Sequence, residues 1–380
     1  MSSSLTLICI QTHLTQYHYQ SYSILKKHLL KRIYQTLPSS SVHQRALQPT
    51  LVVFPECIGS WFYLMHVPMP HFLKNFFFNF IPGKSLIRQH LFSKHTLFII
   101  YTLIINLYSF CKQLWHNYSQ NRTWSGLFTR SFFRLFSRKT CETYLKLFSE
   151  LAKETNCTIV AGSLYTERLE LILNQNKHYN IHYTSEGLYN MSCVFEPING
   201  NVCLIQGKQY PVADEIKFID RYLPSSSIYS IPYTNINIGI IICADSWFPQ
   251  FYEKFIDFNN NQKKFLFIIV ALNMIDKNKN EWIYPWSGYS YFSTPNDVNI
   301  KHIQNLTLEQ AWYTYAIKRA YNHLDKYFKN DFGVCCCHGI MSIMNDLQAN
   351  GASTILLKKN VQMIQEAKTY KNYTILTCDI

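Results

Sequence analysis

Short, continuous apolar runs recur along this chain, the pattern of strands buried on both faces. They include LTLICIQ from Leu5, TLVVFPE ending at Glu56, CTIVAGSLY from Cys157, NIGIIICADSW from Asn237 and FLFIIVALN from Phe265. FGVCCCHG, STILLKK and YTILTCDI complete the set towards the C-terminal end. Between the early runs the period changes. Tyr22, Leu25, Leu29 and Ile33 share one face of a predicted helix, and Tyr144, Leu145, Phe148, Leu151 and Ala152 share a face of another. LEQAWYTYAIKRAYNHL predicts a third helix. Two β-rich runs flank Asn199–Gly200, which predicts a hairpin there. Strands that alternate with helices early and form hairpins later predict an α/β protein of mixed pairing, one domain over residues 1–380.

A chain of 380 residues is long enough to bury a full core. The start, MSSSLTLICIQTHL, lacks a basic n-region and reads as a first strand, not a secretory signal. The 12 cysteines have no framework spacing, so reduced thiols in a cytoplasmic setting are expected. Cys335–Cys337 is not a CxxC pair, no His/Cys set has zinc-finger spacing, and neither a metal nor an organic cofactor is expected. The net charge of +13 is concentrated: between Cys57 and Cys141 stand ten Lys or Arg and no Asp or Glu. That charge alone fits an anionic surface or nucleic acid, but no nucleic-acid motif accompanies it.

Three positions carry candidate chemistry. Cys243 ends an apolar strand and opens a turn towards FPQFYEKF, where a helix N-terminus would favour its thiolate. A buried structural thiol is the common alternative. Glu56 closes TLVVFPE, and a poorly solvated carboxylate there would have its pKa raised towards the range of a general base, unless it faces water. Lys208 follows the hairpin in QGKQYP and taken singly is a loop lysine.

In this order and context the three resemble the carbon–nitrogen hydrolase (nitrilase) superfamily. The carrying residues are Phe54–Pro55–Glu56, Tyr189–Asn190, the turn Pro197–Ile198–Asn199–Gly200 before Lys208, and Gly239, Cys243, Asp245, Phe248 and Pro249 around the thiol. Gly339 and Ser342 resemble the family's later hairpin, and the likeness covers residues 5–60 and about 140–380. It implies a four-layer α-β-β-α sandwich with a Glu56–Lys208–Cys243 triad that cleaves a non-peptide amide or a nitrile through a cysteine thioester, amidase being favoured over nitrilase. Glu215, with Asp214 as competitor, is the implied second glutamate. Tyr165, Ala244 and Trp247 are candidate substrate contacts. Gln209 stands where the family has an aromatic residue or histidine, which bears on the pocket wall. A homodimer paired through FPQFYEKF is also implied. Two alternatives stay open: acyl transfer to an amine, and a non-catalytic, membrane-associated binding protein on the same frame.

Residues 61–139 are an insertion relative to that family. The uncharged run Thr96–Cys111 is shorter than the roughly 20 residues of a bilayer span. A single crossing would also place Glu56 and Cys243 on opposite sides of a membrane. Arg130, Arg134 and Arg138 alternate with Phe128, Phe132 and Phe136 at helical spacing. Such a helix either anchors at an anionic membrane or packs its aromatic face on the sandwich. The insertion is expected to cap the active site and admit amides with apolar groups.

Overall fold

Two mixed β-sheets face one another in the computed structural model, which describes residues 4–37, 49–67, 94–117, 123–173, 179–223, 227–255, 263–275, 281–289, 291–328, 331–343, 347–358, 363–366 and 373–380. The run Phe76–Phe80 and the rest of 68–93 lie outside the described residues. The first sheet has the order β16 (Thr374–Asp379), β1 (Thr6–Gln11), β3 (Thr50–Val53), β4 (Thr158–Val160), β6 (Tyr179–Phe195) and β5 (Leu164–Leu173), with β7 (Val202–Gly207) on β6. Its centre, β1–β3–β4, is parallel, and its flanks are antiparallel. The second is built on the parallel trio β9 (Ile236–Ile242), β10 (Lys264–Leu272) and β12 (Phe332–Ile343). β8 (Ile228–Ser230) edges β9, while β13 (Leu347–Ala349) and β14 (Thr354–Leu357) fold back on β12. β11 (Met274–Ile275) and β15 (Met363–Glu366) extend these two. β2 (His13–Thr15) leaves the first sheet directly after β1 and pairs with β12 of the second.

The two-residue side-chain period sorts the core into layers. From β1 and β3, Leu7, Cys9, Leu51 and Val53 point between the sheets, whereas Ile8, Ile10, Val52 and Phe54 point at the outer helices. The thiols help close the inner seam: Cys337 Sγ donates to the carbonyls of Ile10 (3.4 Å) and Val53 (3.5 Å). All 12 cysteines are free. On the outside of the first sheet lie α1 (Tyr22–Tyr34), the short α2 (Tyr63–His66) and α5 (Trp124–Thr155). The second sheet is covered by α6 (Pro249–Glu253) and by α7 (Leu308–Trp312) and α8 (Arg319–Tyr327), joined through the π-helical segment Tyr313–Lys318. The α-β-β-α layering expected from the sequence is therefore present.

Two expectations need correction in detail. CTIVAGSLY is not one strand, because the chain turns at Gly162 between β4 and β5. The helix predicted near Tyr144 is the second half of a 32-residue helix, α5, that begins inside the insertion, capped by Thr123 at its start and by left-handed Asn156 at its end. Of the three arginines on its predicted basic face, only Arg138 is exposed. Arg130 and Arg134 are buried with Phe132 and Phe136, and only Phe128 of the three phenylalanines is exposed. Arg130 donates to Asp220 (2.7 Å) and to the Phe218 carbonyl (2.9 Å). Helical spacing defined two faces, but the 215–220 loop covers the side expected to meet water. This helix packs its aromatic side on the sandwich. Of two further helices of the insertion, α4 (Leu107–Asn117) packs on it through Phe110 and Phe128, and α3 (Lys94–Ile105) sets Phe98 against Tyr63 of α2.

Gly162 has φ +66, and a Cβ there would sit 1.9 Å from the Pro55 carbonyl oxygen. Gly288 (φ +84) would meet only Ile303 side-chain carbons at 3.2 Å or more. We expect Gly162→Ala to lower unfolding free energy by about 3 kcal/mol and Gly288→Ala by about 1 kcal/mol, measured by urea denaturation.

Candidate active site

Three strand ends meet where the sheets open, and each delivers one polar side chain. Glu56 follows β3 on a loop fastened to the β4–β5 turn: Phe54 N donates to the Val160 carbonyl (2.9 Å) and Cys57 N to Ser163 Oγ (2.9 Å). Lys208 follows β7 and is held by its backbone, its N–H donating to the Asn190 carbonyl (2.9 Å). Cys243 follows β9 at φ +47, a left-handed conformation costly for a residue with a Cβ, and opens a single turn, Cys243–Trp247. Asp245, fully buried in that turn, accepts from the N–H groups of Gln209 (3.0 Å) and Tyr210 (2.6 Å), which locks the cysteine and lysine loops together.

The side chains converge on the Lys208 ammonium. Its Nζ lies 2.8 Å from Glu56 Oε1 and 2.6 Å from Glu215 Oε2, with all three groups buried. Asn190 Nδ2 bridges the two carboxylates, donating to Glu56 Oε1 (2.9 Å) and Glu215 Oε1 (3.3 Å). Glu56 Oε2 accepts from Leu272 N (3.0 Å) at the end of β10, so this carboxylate ties one sheet to the other. Glu215 also accepts from Tyr165 Oη (3.0 Å) and Val212 N (3.1 Å). Cys243 Sγ donates to the Leu272 carbonyl (3.8 Å), on the residue whose N–H holds Glu56, and the Glu56 charge acts on the thiol.

Electrostatics follow from burial and these partners. Burial pushes Glu56 up, Lys208 pulls it down and Glu215 pushes it up again, leaving it above the ordinary carboxylate value. Burial alone would strip the proton from Lys208, but Glu215 and Glu56 outweigh it and hold the ammonium well above the usual lysine value. Burial, and then the Glu56 charge, pushes the Cys243 thiol well up. That corrects the sequence expectation of a dipole-favoured thiolate: the helix beyond the turn, α6, has only five residues and starts at Pro249. The resting pair is a thiol beside a carboxylate, an arrangement in which the carboxylate can take the proton as sulfur attacks.

Each predicted site residue lines one cavity of about 690 Å³: Glu56, Lys208, Glu215 and Cys243 with Tyr165, Ala244 and Trp247. Asp214 does not compete with Glu215, since its carboxylate is exposed and pairs with Lys217 (2.6 Å). Tyr165 is both a wall residue and a partner of Glu215. Gln209 turns away, its side chain accepting from Lys254 (2.6 Å). The neighbouring wall position is filled by Tyr210, stacked on Phe248 at 4.2 Å between ring centres. Sequence reading missed the rest of the wall. Trp286, Tyr289 and Phe292 come from WIYPWSGYSYF, whose aromatic density was the available signal. The insertion, expected to cap the active site, lines the cavity through Ile99, Phe128, Thr129, Phe132 and Phe133, with Phe133 against Tyr165 and stacked on Phe218. Among the described residues no cluster of His, Cys, Asp or Glu has the make-up of a metal site.

No protein-family profile matches the chain, and no curated protein does. Solved structures do. An amidase from Nesterenkonia sp. is similar over 100% of this chain and 91% of its own, at 9% identity and a TM-score of 0.49. Saccharomyces cerevisiae Nit3, a member of branch 10 of the nitrilase superfamily, is similar over 100% and 90%, at 12% identity and 0.49. The glutamine-dependent NAD+ synthetase from Acinetobacter baumannii matches 99% of this chain with 45% of its own, at 12% identity and 0.46.

Replacing Lys208 by Met would leave two buried carboxylates facing each other without a cation. One of them then stays protonated above the ordinary 4.5, so its folded pKa lies above its unfolded one. The resulting penalty is absent below 4.5 and grows as pH rises towards the folded value. We expect Lys208→Met to lose about 3–5 kcal/mol relative to wild type at neutral pH, with the difference shrinking in acid, read from urea midpoints across pH.

Proposed function

We propose that this chain is a carbon–nitrogen hydrolase of the nitrilase type, one domain with the 61–139 insertion as part of its pocket, acting on a non-peptide amide with a bulky apolar acyl group. One observation carries the reading: the Lys208 ammonium joins Glu56 and Glu215 at 2.8 Å and 2.6 Å, and the Cys243 thiol shares a single cavity with them.

In this mechanism Cys243 Sγ attacks the amide carbon as Glu56 removes its proton. The carbonyl π pair moves to oxygen, where the Lys208 ammonium and the Ala244 N–H receive the negative charge. Collapse expels the amine, which takes the proton back from Glu56, and leaves the acyl group on sulfur. A water deprotonated by Glu56 then attacks the thioester, the acid departs and the thiol regains the proton. Glu215 and Asn190 position Lys208. Its firm protonation suits it to charge stabilisation and not to proton transfer. Apart from the catalytic group, the exposed Asp214 and the neutral Thr129, Asn273 and Ser287, the cavity wall is mostly aromatic and aliphatic, which supports an apolar acyl moiety over a charged one. The same reading carries a homodimer paired through α6.

A screen of primary amides with ammonia detection tests it. Aryl and long-chain amides are expected to exceed acetamide in kcat/KM by about tenfold or more. Glu56→Gln should lower kcat by about 10²–10⁴-fold, and Cys243→Ala should reduce it to background. Electrophilic labelling separates the enzyme from a non-catalytic binder: Cys243 should react faster than every other thiol. Equal labelling of Cys243 and the exposed Cys111 would overturn the reading.

A further inference from the structure

The outer surface of the insertion carries apolar side chains over which, among the described residues, nothing is packed. Ile104 is 67% exposed, Leu107 59%, Tyr108 84% and Trp115 85%. They lie along α3 and α4, whose axes meet at 93°. On α4, Tyr108, Cys111, Lys112 and Trp115 follow one another at helical spacing, and all four are exposed, while Phe110 turns inward onto Phe128. The pair is thus a bent amphipathic element, seated on α5 through Phe110 and on α2 through Phe98, its other face exposed.

Neither arm spans a bilayer. With 12 and 11 residues they are about 18 Å and 16 Å long, against a hydrocarbon core of about 30 Å. Among the described residues no single helix is long and apolar enough to cross. A crossing by the bent pair would also separate Glu56 from Cys243, which share one cavity. An element that is short, bent and apolar on its open face, with Tyr and Trp at its rim and a lysine among them, has the make-up of one that lies in the headgroup boundary. Charge selects the surface: Lys112 stands on the exposed face itself, and the sequence from Cys57 to Cys141 supplies no Asp or Glu to oppose it. Ile99 of the same helix α3 lines the cavity, one residue from exposed Ile100. The open face is therefore continuous with the cavity wall.

We propose that the open face of α3 and α4 docks the protein on an anionic bilayer surface, with Tyr108 and Trp115 inserted at headgroup depth and the cavity held beside the membrane. Its test uses the full chain and no turnover, so it stands apart from the enzymatic reading. Wild type and the double variant Tyr108→Ser, Trp115→Ser are sedimented with vesicles of phosphatidylcholine plus phosphatidylserine, and with phosphatidylcholine alone. Thermal melting confirms that the variant, altered only at exposed positions, folds as wild type does. Expected are wild-type co-sedimentation with the anionic vesicles, loss of it in high salt, and binding about tenfold weaker in the variant. A wild type that stays in the supernatant, or a variant that binds equally well, would overturn the proposal. So would velocity sedimentation showing a wild-type dimer and a monomeric variant, because the face would then belong to a second copy of this chain.

Discussion

The buried Lys208 ammonium between Glu56 and Glu215 is the interaction on which the rest depends. Taking one such ion out of water costs several kcal/mol, so three together are tolerable only if every charge meets a partner. They do: Asn190, Tyr165 and the N–H groups of Leu272 and Val212 occupy the remaining carboxylate oxygens. Those donors come from both sheets and from the loop after Lys208. The cluster is therefore a constraint on the register of the whole sandwich as well as a candidate reaction centre. An ammonium so firmly protonated can stabilise negative charge repeatedly without changing state, while the carboxylate beside it, lifted by burial, is free to exchange a proton with the thiol.

The insertion joins this arrangement instead of hanging from it. Arg130 on α5 grips Asp220 and the Phe218 carbonyl, and Phe133 stacks on Phe218, so the segment that presents Glu215 is clamped from outside. Close packing leaves no slack at that contact: a Cβ on Gly126 would come within 2.1 Å of the Lys217 carbonyl oxygen. Pocket wall, second glutamate and insertion helix thus form one mechanical unit, and the acyl specificity proposed for the site belongs to the part of the chain that departs most from the family pattern.

Continuous apolar runs, a 3.6-residue period in α1 and α5, and the Asn199–Gly200 turn determined the α/β class, because local propensity and layer burial agree at those positions. Glu56, Lys208 and Cys243 were legible as candidates because each ends or follows an element that the pattern already marked, whereas Glu215 came only from the resemblance. Tertiary structure alone decided the rest. A lone sequence position cannot say what covers it, so Arg130 and Arg134 read as a solvated face and proved buried, and Cys243 read as a thiolate at a helix start and proved a buried thiol. Burial, partner charges and the convergence of loops far apart in sequence are properties of the packed chain, and they set the proton positions and the shape of the cavity.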